Sequence, residues 1–276
     1  MRRWQRPSVH YAPDLISDHM LEITSYEVTT KILSLFDITK PTMPRAFNVL
    51  DGTMCGQILI DDASHPEWAV FRDGVYGTLY FGGQINKSLL ETLVTHFRQI
   101  GEVGIGCWLD DLLNEMIPYQ PDYDGFTLYF AERSKRVLLK PLLNHIPEGI
   151  RLAHRDEQLF KKSFDYESTL VAFGSVEYVM KHTLGVMLLE GDTLICEAAT
   201  GAPTHGHIEV GVTTAESYRQ RGFAAMACAS LIRECEERGY FTWWDCAKQN
   251  VASARLAKKL GYENGREYRY AWWAKS

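Results

Sequence analysis

The segment Arg219-Gln220-Arg221-Gly222-Phe223-Ala224 limits what this chain can fold into more than any other stretch of its 276 residues. Before it, His207-Ile208-Glu209-Val210-Gly211-Val212 alternates apolar and polar side chains and predicts a strand. After it, a helical pattern runs from Ala224 to Arg238, with Ala224, Cys228, Leu231 and Cys235 on one face and Gly239 as its stop. A strand that passes through a basic, glycine-containing loop into a helix builds an anion site. The first turn of a helix leaves backbone N–H groups unpaired and carries partial positive charge. Gly222 and Ala224 put no bulk in the way of a phosphate, and Arg219 and Arg221 add charge beside it. The order suits a pyrophosphate. A structural turn into a surface helix is the plainer reading of such a loop. The Lys-Ser/Thr pair of a nucleotide P-loop is missing, and no G-x-G-x-x-G follows a strand.

The residues on either side narrow the choice. Phe241–Cys246 predicts a buried strand rich in aromatics. Asn250 stands at a helix N-cap with Ser253 three residues on, Leu256, Ala257 and Leu260 form the apolar face, and Gly261 ends the helix. Arg266–Trp273 predicts a final strand, and Leu184–Glu190 with Thr193–Ala199 predicts a hairpin turned at Gly191-Asp192. This region, residues 141–276, resembles the GNAT acetyltransferase superfamily. The phosphate loop of that superfamily has the form Gln/Arg-x-x-Gly-x-Gly/Ala, met here by Arg219, Gly222 and Ala224. Its later signature is an Asn followed by a helix ending in Lys-Leu-Gly-aromatic, met by Asn250 and Lys259-Leu260-Gly261-Tyr262.

The resemblance implies an α/β (α+β) fold, a mixed and mostly antiparallel GNAT sheet flanked by helices. It implies acetyl-CoA as cosubstrate and an amine as acceptor. Pantetheine would lie along the strand Ile208–Val212, on main-chain groups of Val210 and Val212, with Gly211 a place for close backbone approach or a bulge. The pyrophosphate would take the amides of Gln220, Arg221, Gly222, Phe223, Ala224 and Ala225 beside Arg219, and Asn250 and Ser253 would stand near the thioester. Glu209 would deprotonate the amine or orient the water that does so; an ordinary solvated strand residue is its plainer reading. Ala257 occupies the position where the superfamily commonly has the Tyr that protonates the leaving thiolate, so Ser253, Cys246 or a water inherits that task, and Tyr262 reads as packing. The absent Tyr also motivates a rival reading, a non-catalytic acyl-CoA-binding or regulatory protein.

The first half predicts strands at Gln57–Asp61, Trp68–Arg72, Thr78–Gly82, Gly104–Leu109 and Gly125–Ala131, a helix at Leu89–Ile100, and a helical stripe over His19–Phe36. That order echoes half of a GNAT domain, but Gly83-Gln84-Ile85-Asn86-Lys87 is no phosphate loop. Residues 1–140 therefore read as a diverged N-terminal α/β domain that shapes the substrate pocket or a pairing surface, and 141–276 as the acetyltransferase domain, divided near Lys140-Pro141. Asp61-Asp62 and Asp110-Asp111 read as turn residues, and Trp243, Trp244, Trp272 and Trp273 as core, with an aromatic substrate wall the alternative. His205 and His207 lack converging Cys or carboxylate partners, so no metal is expected. The 6 cysteines form no C-x-x-C pair and fit a reducing compartment. A formal charge of −6 argues against a general nucleic-acid binder and suits a cationic amine. No apolar run follows Met1-Arg2-Arg3-Trp4 and none reaches membrane-spanning length, so the expectation is a cytoplasmic protein without membrane partners. A homodimer stays open, as does the identity of the acceptor.

Overall fold

The computed structural model describes residues 20–118, 120–143 and 146–276. The first half holds β1 (Leu21–Ile23), α1 (Thr30–Leu33), α2 (Met43–Leu50), β2 (Gly56–Ile60), β3 (Trp68–Asp73), β4 (Thr78–Gly83), α3 (Lys87–Ile100), β5 (Val103–Trp108), α4 (Leu112–Met116) and β6 (Tyr123–Phe130). The second holds β7 (Ile150–His154), α5 (Glu157–Phe160), α6 (Tyr166–Phe173), α7 (Val176–His182), β8 (Gly185–Glu190), β9 (Thr193–Thr200), β10 (His207–Thr214), α8 (Phe223–Glu237), β11 (Phe241–Ala247), α9 (Val251–Leu260) and β12 (Arg266–Trp273).

The 12 strands of the described residues join one sheet, in the order β1-β2-β3-β4-β5-β12-β6-β11-β10-β9-β8-β7. Two neighbours in it are parallel, β4 with β5 and β10 with β11; the rest are antiparallel. Each parallel pair is joined by a long helix, α3 or α8, because a parallel connection must cross over the sheet. Each pair also comes apart. β4 and β5 stay in register only at Thr78↔Gly104 and Leu79↔Ile105, and β10 and β11 only from His207↔Phe241 to Glu209↔Trp243. At the centre the halves interleave. β12, the last strand, lies between β5 and β6, while β6 reaches across to pair with β11.

Local chemistry accounts for most elements. α3 buries Leu90, Leu93, Val94 and Phe97 against β5, each fully buried Leu or Phe contributing about 1.5–3 kcal/mol. α8 buries more than the single face its pattern suggests: Ala225, Ala227, Ala229 and Ile232 are enclosed along with Cys228, Leu231 and Cys235. It lies under β8, β9, β10 and β11 with α9 at its side, so small residues are needed on several faces.

One sequence expectation fails here. The helical stripe over His19–Phe36 is not one helix; His19 lies outside the described residues, and the rest forms β1, a 3-10 turn and α1. Its Ser and Thr side chains cap the backbone locally: Thr24 and Glu27 bond reciprocally, and Thr29 Oγ1 accepts from the Ile32 N–H at 3.4 Å. Such bonds offer the chain an alternative to a continuous helix. Leu21–Ile23 instead takes β2 as partner. Conversely, α2 gives no strong local signal, because Pro44 reads as a breaker. Pro is tolerated in a first helical turn, and there it sits. α2 buries Met43, Ala46, Phe47, Val49 and Leu50 and touches β2, β3 and β10, tying the first half to the second.

Candidate active site

The site grows out of the gap between β10 and β11. β10 runs beside β11 as far as Glu209, then continues against β9 alone. Its free edge can be phased. The Thr200 N–H bonds to the Leu184 carbonyl, on the β8 side of β9, at 2.9 Å. Thr200 opposite Val210 is therefore a non-hydrogen-bonded pair, and the main-chain groups of Val210 turn away from β9, into the gap. Val212 follows two residues on with the same orientation. Two contacts confirm the phase: the Ala215 N–H donates back to Ile195 O at 2.9 Å, and the Thr214 carbonyl accepts from Arg219 Nε at 3.2 Å. Gly211, in the other phase, faces Ala199, and the β9–β10 register is unbroken there. Of the two uses expected at Gly211, close backbone approach or a bulge, the bulge is absent; the irregularity lies between Leu188 and Leu189. Gly211 opens space instead, on the same face as Glu209.

At the far end of β10 the chain turns into α8. Gln220 (φ 61°) and Gly222 (φ 86°) are both left-handed, a pattern that turns successive N–H groups toward one concavity. Gly222 is the N-cap, so no side chain caps the helix, and its Cβ position meets no atom within 4 Å. The N–H groups of Phe223, Ala224 and Ala225 precede the first intrahelical donor, Met226 N to Gly222 O at 3.2 Å. Arg219 holds the end of β10, and the Arg221 guanidinium lies over the rings of Tyr218 and Phe223, at 5.3 and 5.0 Å. The first half differs at the matching place. There Asn86 caps α3 with its own side chain, Oδ1 accepting from the Leu89 N–H at 2.9 Å.

On the face of Glu209 the gap carries charge. Arg45, from α2, grips Glu209 with both nitrogens of its fork: Nε donates to Oε2 at 2.8 Å and Nη2 to Oε1. The same Nη2 is 3.8 Å from Asp245 Oδ1 on β11, and Tyr268 on β12 donates its hydroxyl to Asp245 Oδ2 at 2.9 Å. The guanidinium also lies 5.5 Å from the rings of Tyr76 and Trp243; Trp243 is buried and lines neither neighbouring cavity, as a core residue does. Burial pushes the Asp245 carboxyl up to about 6; Arg45 opposes the shift, the charge of Glu209 adds to it, and the Tyr268 hydrogen bond opposes it. Burial likewise raises Tyr76, Tyr129 and Tyr268, which keeps these phenols neutral.

Arg45 and Asp245 are the residues that sequence reasoning misses. Asp245 had a signal: a lone acid in an aromatic strand, on the alternation face of Trp243. Arg45 lies 164 residues from Glu209 and had none. Arg45 and Tyr76 divide two cavities. One, about 170 Å³, is walled by Glu197, Thr213, Gly211, Glu209 and α6 residues. The other, about 210 Å³, is walled by Asp245, Thr127, Tyr268 and Tyr270. Glu197 in the first wall is paired with Arg155 at 3.3 Å and accepts from Ser163 Oγ at 2.7 Å.

The opposite face of β11 carries Trp244 and Cys246. Ser253 stands over them, its Oγ accepting from Trp244 Nε1 at 3.1 Å, which leaves the hydroxyl proton free of that bond. Asn250 Oδ1 accepts from the Ser253 N–H at 3.1 Å, as an N-cap. Ala257 is wholly buried in the core, and the Tyr262 hydroxyl, buried beneath it, donates to Thr242 Oγ1 at 2.8 Å. His205 packs on Phe47 and His207 on Phe241, and among the described residues no group of three metal-ligating side chains gathers. Asp61 and Asp62 accept main-chain N–H groups of the turn before β3. Asp111 caps α4 while Asp110 pairs with Arg266 at 2.8 Å. No helix among the described residues is long and apolar enough to cross a membrane.

A mixed sheet with a parting parallel pair, an uncapped helix after the first of those strands and acid groups at the point of parting define a GNAT-fold transferase. Residues 35–271 match the family described as GNAT acetyltransferase, and the chain belongs to that family. It is 23% identical over 248 residues to the uncharacterized N-acetyltransferase YdfB of Bacillus subtilis (strain 168), covering 80% of this chain and 87% of that one. Among solved structures, a GCN5-related N-acetyltransferase-like protein from Streptococcus suis 89/1591 superposes with a TM-score of 0.63 at 27% identity, over 83% of this chain and 92% of the other. A tandem GNAT protein from the clavulanic acid biosynthesis pathway shares the fold over 93% of this chain and 98% of its own, with a TM-score of 0.64 at 10% identity.

Proposed function

We propose that this chain transfers the acetyl group of acetyl-CoA to the amine of a small molecule, or to a free amino group of a larger one. One observation carries the reading. The Val210 carbonyl and the main-chain groups of Val212, beyond the last pairing with β11, lead along a single strand edge to the uncapped amides of Phe223, Ala224 and Ala225. A pantetheine arm needs hydrogen-bonding partners along its length and a pyrophosphate needs N–H donors at its end, and this edge offers them in that order. Gln220 and Gly222 set the curvature of the loop, and Arg219 and Arg221 supply its charge. Acetyl-CoA brings the activated acyl group; the chain's own residues orient the acceptor and move its protons. Ser253, with Asn250 fixing its helix turn, stands where a proton for the departing thiolate is needed, Ala257 having no group to give. Glu209, whose two oxygens both face Arg45, orients the guanidinium and pocket water. Residues 1–140 form the diverged part that contributes Arg45 and Tyr76 to the acceptor pocket, and 141–276 the part that holds acetyl-CoA. Arg45 lines both cavities, and in the first the carboxylates of Asp165, Glu197 and Glu209 outnumber Arg45 and Arg155, which favours a cationic acceptor.

The test is release of free CoA thiol from acetyl-CoA with a panel of small cationic amines. Amine-dependent release is the expected result. Tight acetyl-CoA binding without release across a broad panel would favour the non-catalytic acyl-CoA-binding protein.

A further inference from the structure

We propose that Asp245 takes the proton from the acceptor's ammonium group, and that Arg45, clamped by Glu209, is the positioning residue that holds Asp245 in place. The inference deepens the acetyltransferase reading and rests on it. Glu209 and Trp243 are the last residues in register, and Asp245 is the next residue of β11 on that face, at the opening itself.

The occupancy of the carboxylate oxygens then separates the two acids. Both oxygens of Glu209 accept from Arg45. Asp245 has one oxygen engaged, Oδ2, by Tyr268 at 2.9 Å. Its Oδ1 accepts no hydrogen bond from a described residue and lies 3.8 Å from Arg45 Nη2, beyond hydrogen-bonding distance. A proton acceptor needs a lone pair open toward the substrate, and of the four carboxylate oxygens in this pair Asp245 Oδ1 is the one that accepts no hydrogen bond from a described residue. Asp245 borders a cavity that Arg45 also lines, and the hydroxyls of Thr42, Thr78, Thr127 and Tyr270 in its wall are able to accept from an ammonium.

The groups that face Asp245 also suit it to the task. They are Arg45 from α2, Glu209 from β10, Tyr129 from β6, Tyr268 and Tyr270 from β12, and Tyr76 from the turn before β4. The phenols stay neutral, so the titration near neutrality belongs to Asp245. Burial holds Asp245 near 6, where a carboxylate accepts a proton more readily than at its ordinary value yet is mostly ionised at neutral pH.

The step balances as follows. Asp245 Oδ1 takes one proton from R–NH₃⁺, and the freed nitrogen lone pair attacks the thioester carbonyl carbon. The C–N bond forms and the C–S bond breaks, with its electron pair leaving on sulfur. The nitrogen's second proton is lost as the amide forms, sulfur gains one to become the thiol, and Asp245 returns its proton to solvent. The net products are the acetamide, CoA thiol and one proton.

The experiment measures kcat/KM against pH for the wild type and for Asp245→Asn, Glu209→Gln and Tyr268→Phe, using the best amine of the panel, with acetyl-CoA affinity followed by calorimetry. In the wild type, kcat/KM falls tenfold per pH unit below about 6 as Asp245 is protonated. Asp245→Asn lowers turnover by about 10²–10⁴-fold and removes this acidic limb, with acetyl-CoA affinity retained. Tyr268→Phe removes a bond that favours the ionised form, so it moves the limb to higher pH, and this variant keeps the test decisive if Asp245→Asn does not fold. Glu209→Gln keeps a limb. Wild-type turnover in a folded Asp245→Asn, a limb that disappears in Glu209→Gln alone, or no movement in Tyr268→Phe overturns the assignment. Absence of amine-dependent turnover in the wild type overturns the transferase reading, and the assignment with it.

Discussion

Replacing Arg45 with Met should unfold the protein more readily, and by an amount that depends on pH. Met keeps most of the apolar stem of Arg45, so the change removes mainly charge and hydrogen bonds. Breaking a fully buried ion pair by removing one partner costs about 3–5 kcal/mol, an exposed pair about 0–1. The Arg45 and Glu209 side chains are 17% and 22% exposed, near the buried end of that range. Some stacking on Tyr76 and Trp243 is lost as well, each contact worth about 0.5–1 kcal/mol where solvent reaches it. The sum at pH 8 is roughly 3 kcal/mol. Without the guanidinium, Asp245 faces the Glu209 carboxylate with no cation to oppose burial and the like charge, and it binds a proton still more readily in the folded state. The folded variant then holds more protons than the unfolded chain between about pH 4 and 7, so its stability falls as pH rises through that window. Asp245 already behaves this way in the wild type, its carboxyl being raised to about 6 when folded. The deficit of Arg45→Met should therefore shrink to about 1–2 kcal/mol at pH 5, where one carboxylate is protonated. Urea unfolding of the intact chain at pH 5 and pH 8, followed by tryptophan fluorescence, measures both values. An equal deficit at the two pH values, or a larger one at pH 5, would refute the reasoning that Arg45 compensates two convergent acids.

Three further outcomes are expected. Gly222→Val forces a β-branched residue into a left-handed conformation and fills the open space before the α8 amides, so acetyl-CoA affinity should fall more than tenfold, or about 1.4 kcal/mol, by calorimetry; unchanged affinity in a folded variant places the pyrophosphate elsewhere. Titration of the intact chain should give one acetyl-CoA per chain, because Asn86 already occupies the first turn of α3, and two equivalents would make the first half a second cosubstrate site. Ser253→Ala should lower kcat with little change in acetyl-CoA affinity, whereas full turnover would show that water protonates the thiolate.

Much of the molecule is settled by short-range pattern. The apolar run of β3, the period-2 alternation of β10, the apolar face of α3 and the turn at Gly191 are each read within a few residues, and the structure places these elements where the pattern does. The loop Arg219–Ala224 is legible for the same reason: an uncapped helix N-terminus after a strand is a local object, made by neighbours in sequence. α2 was illegible because its one strong local cue, Pro44, points away from a helix, and its burial under β3 and β10 is decided by contact with distant strands. The interleaving of β12 between β5 and β6 was equally hidden, since pairing partners are chosen by which edges remain open once the other strands have formed. The charged cluster belongs to this second kind. Strand alternation places Glu209 and Asp245 on their faces, but nothing local says that Arg45 will reach them from another helix. A partly buried acid needs a compensating charge from wherever the fold can bring one, and only tertiary packing decides that this charge comes from the first half of the chain.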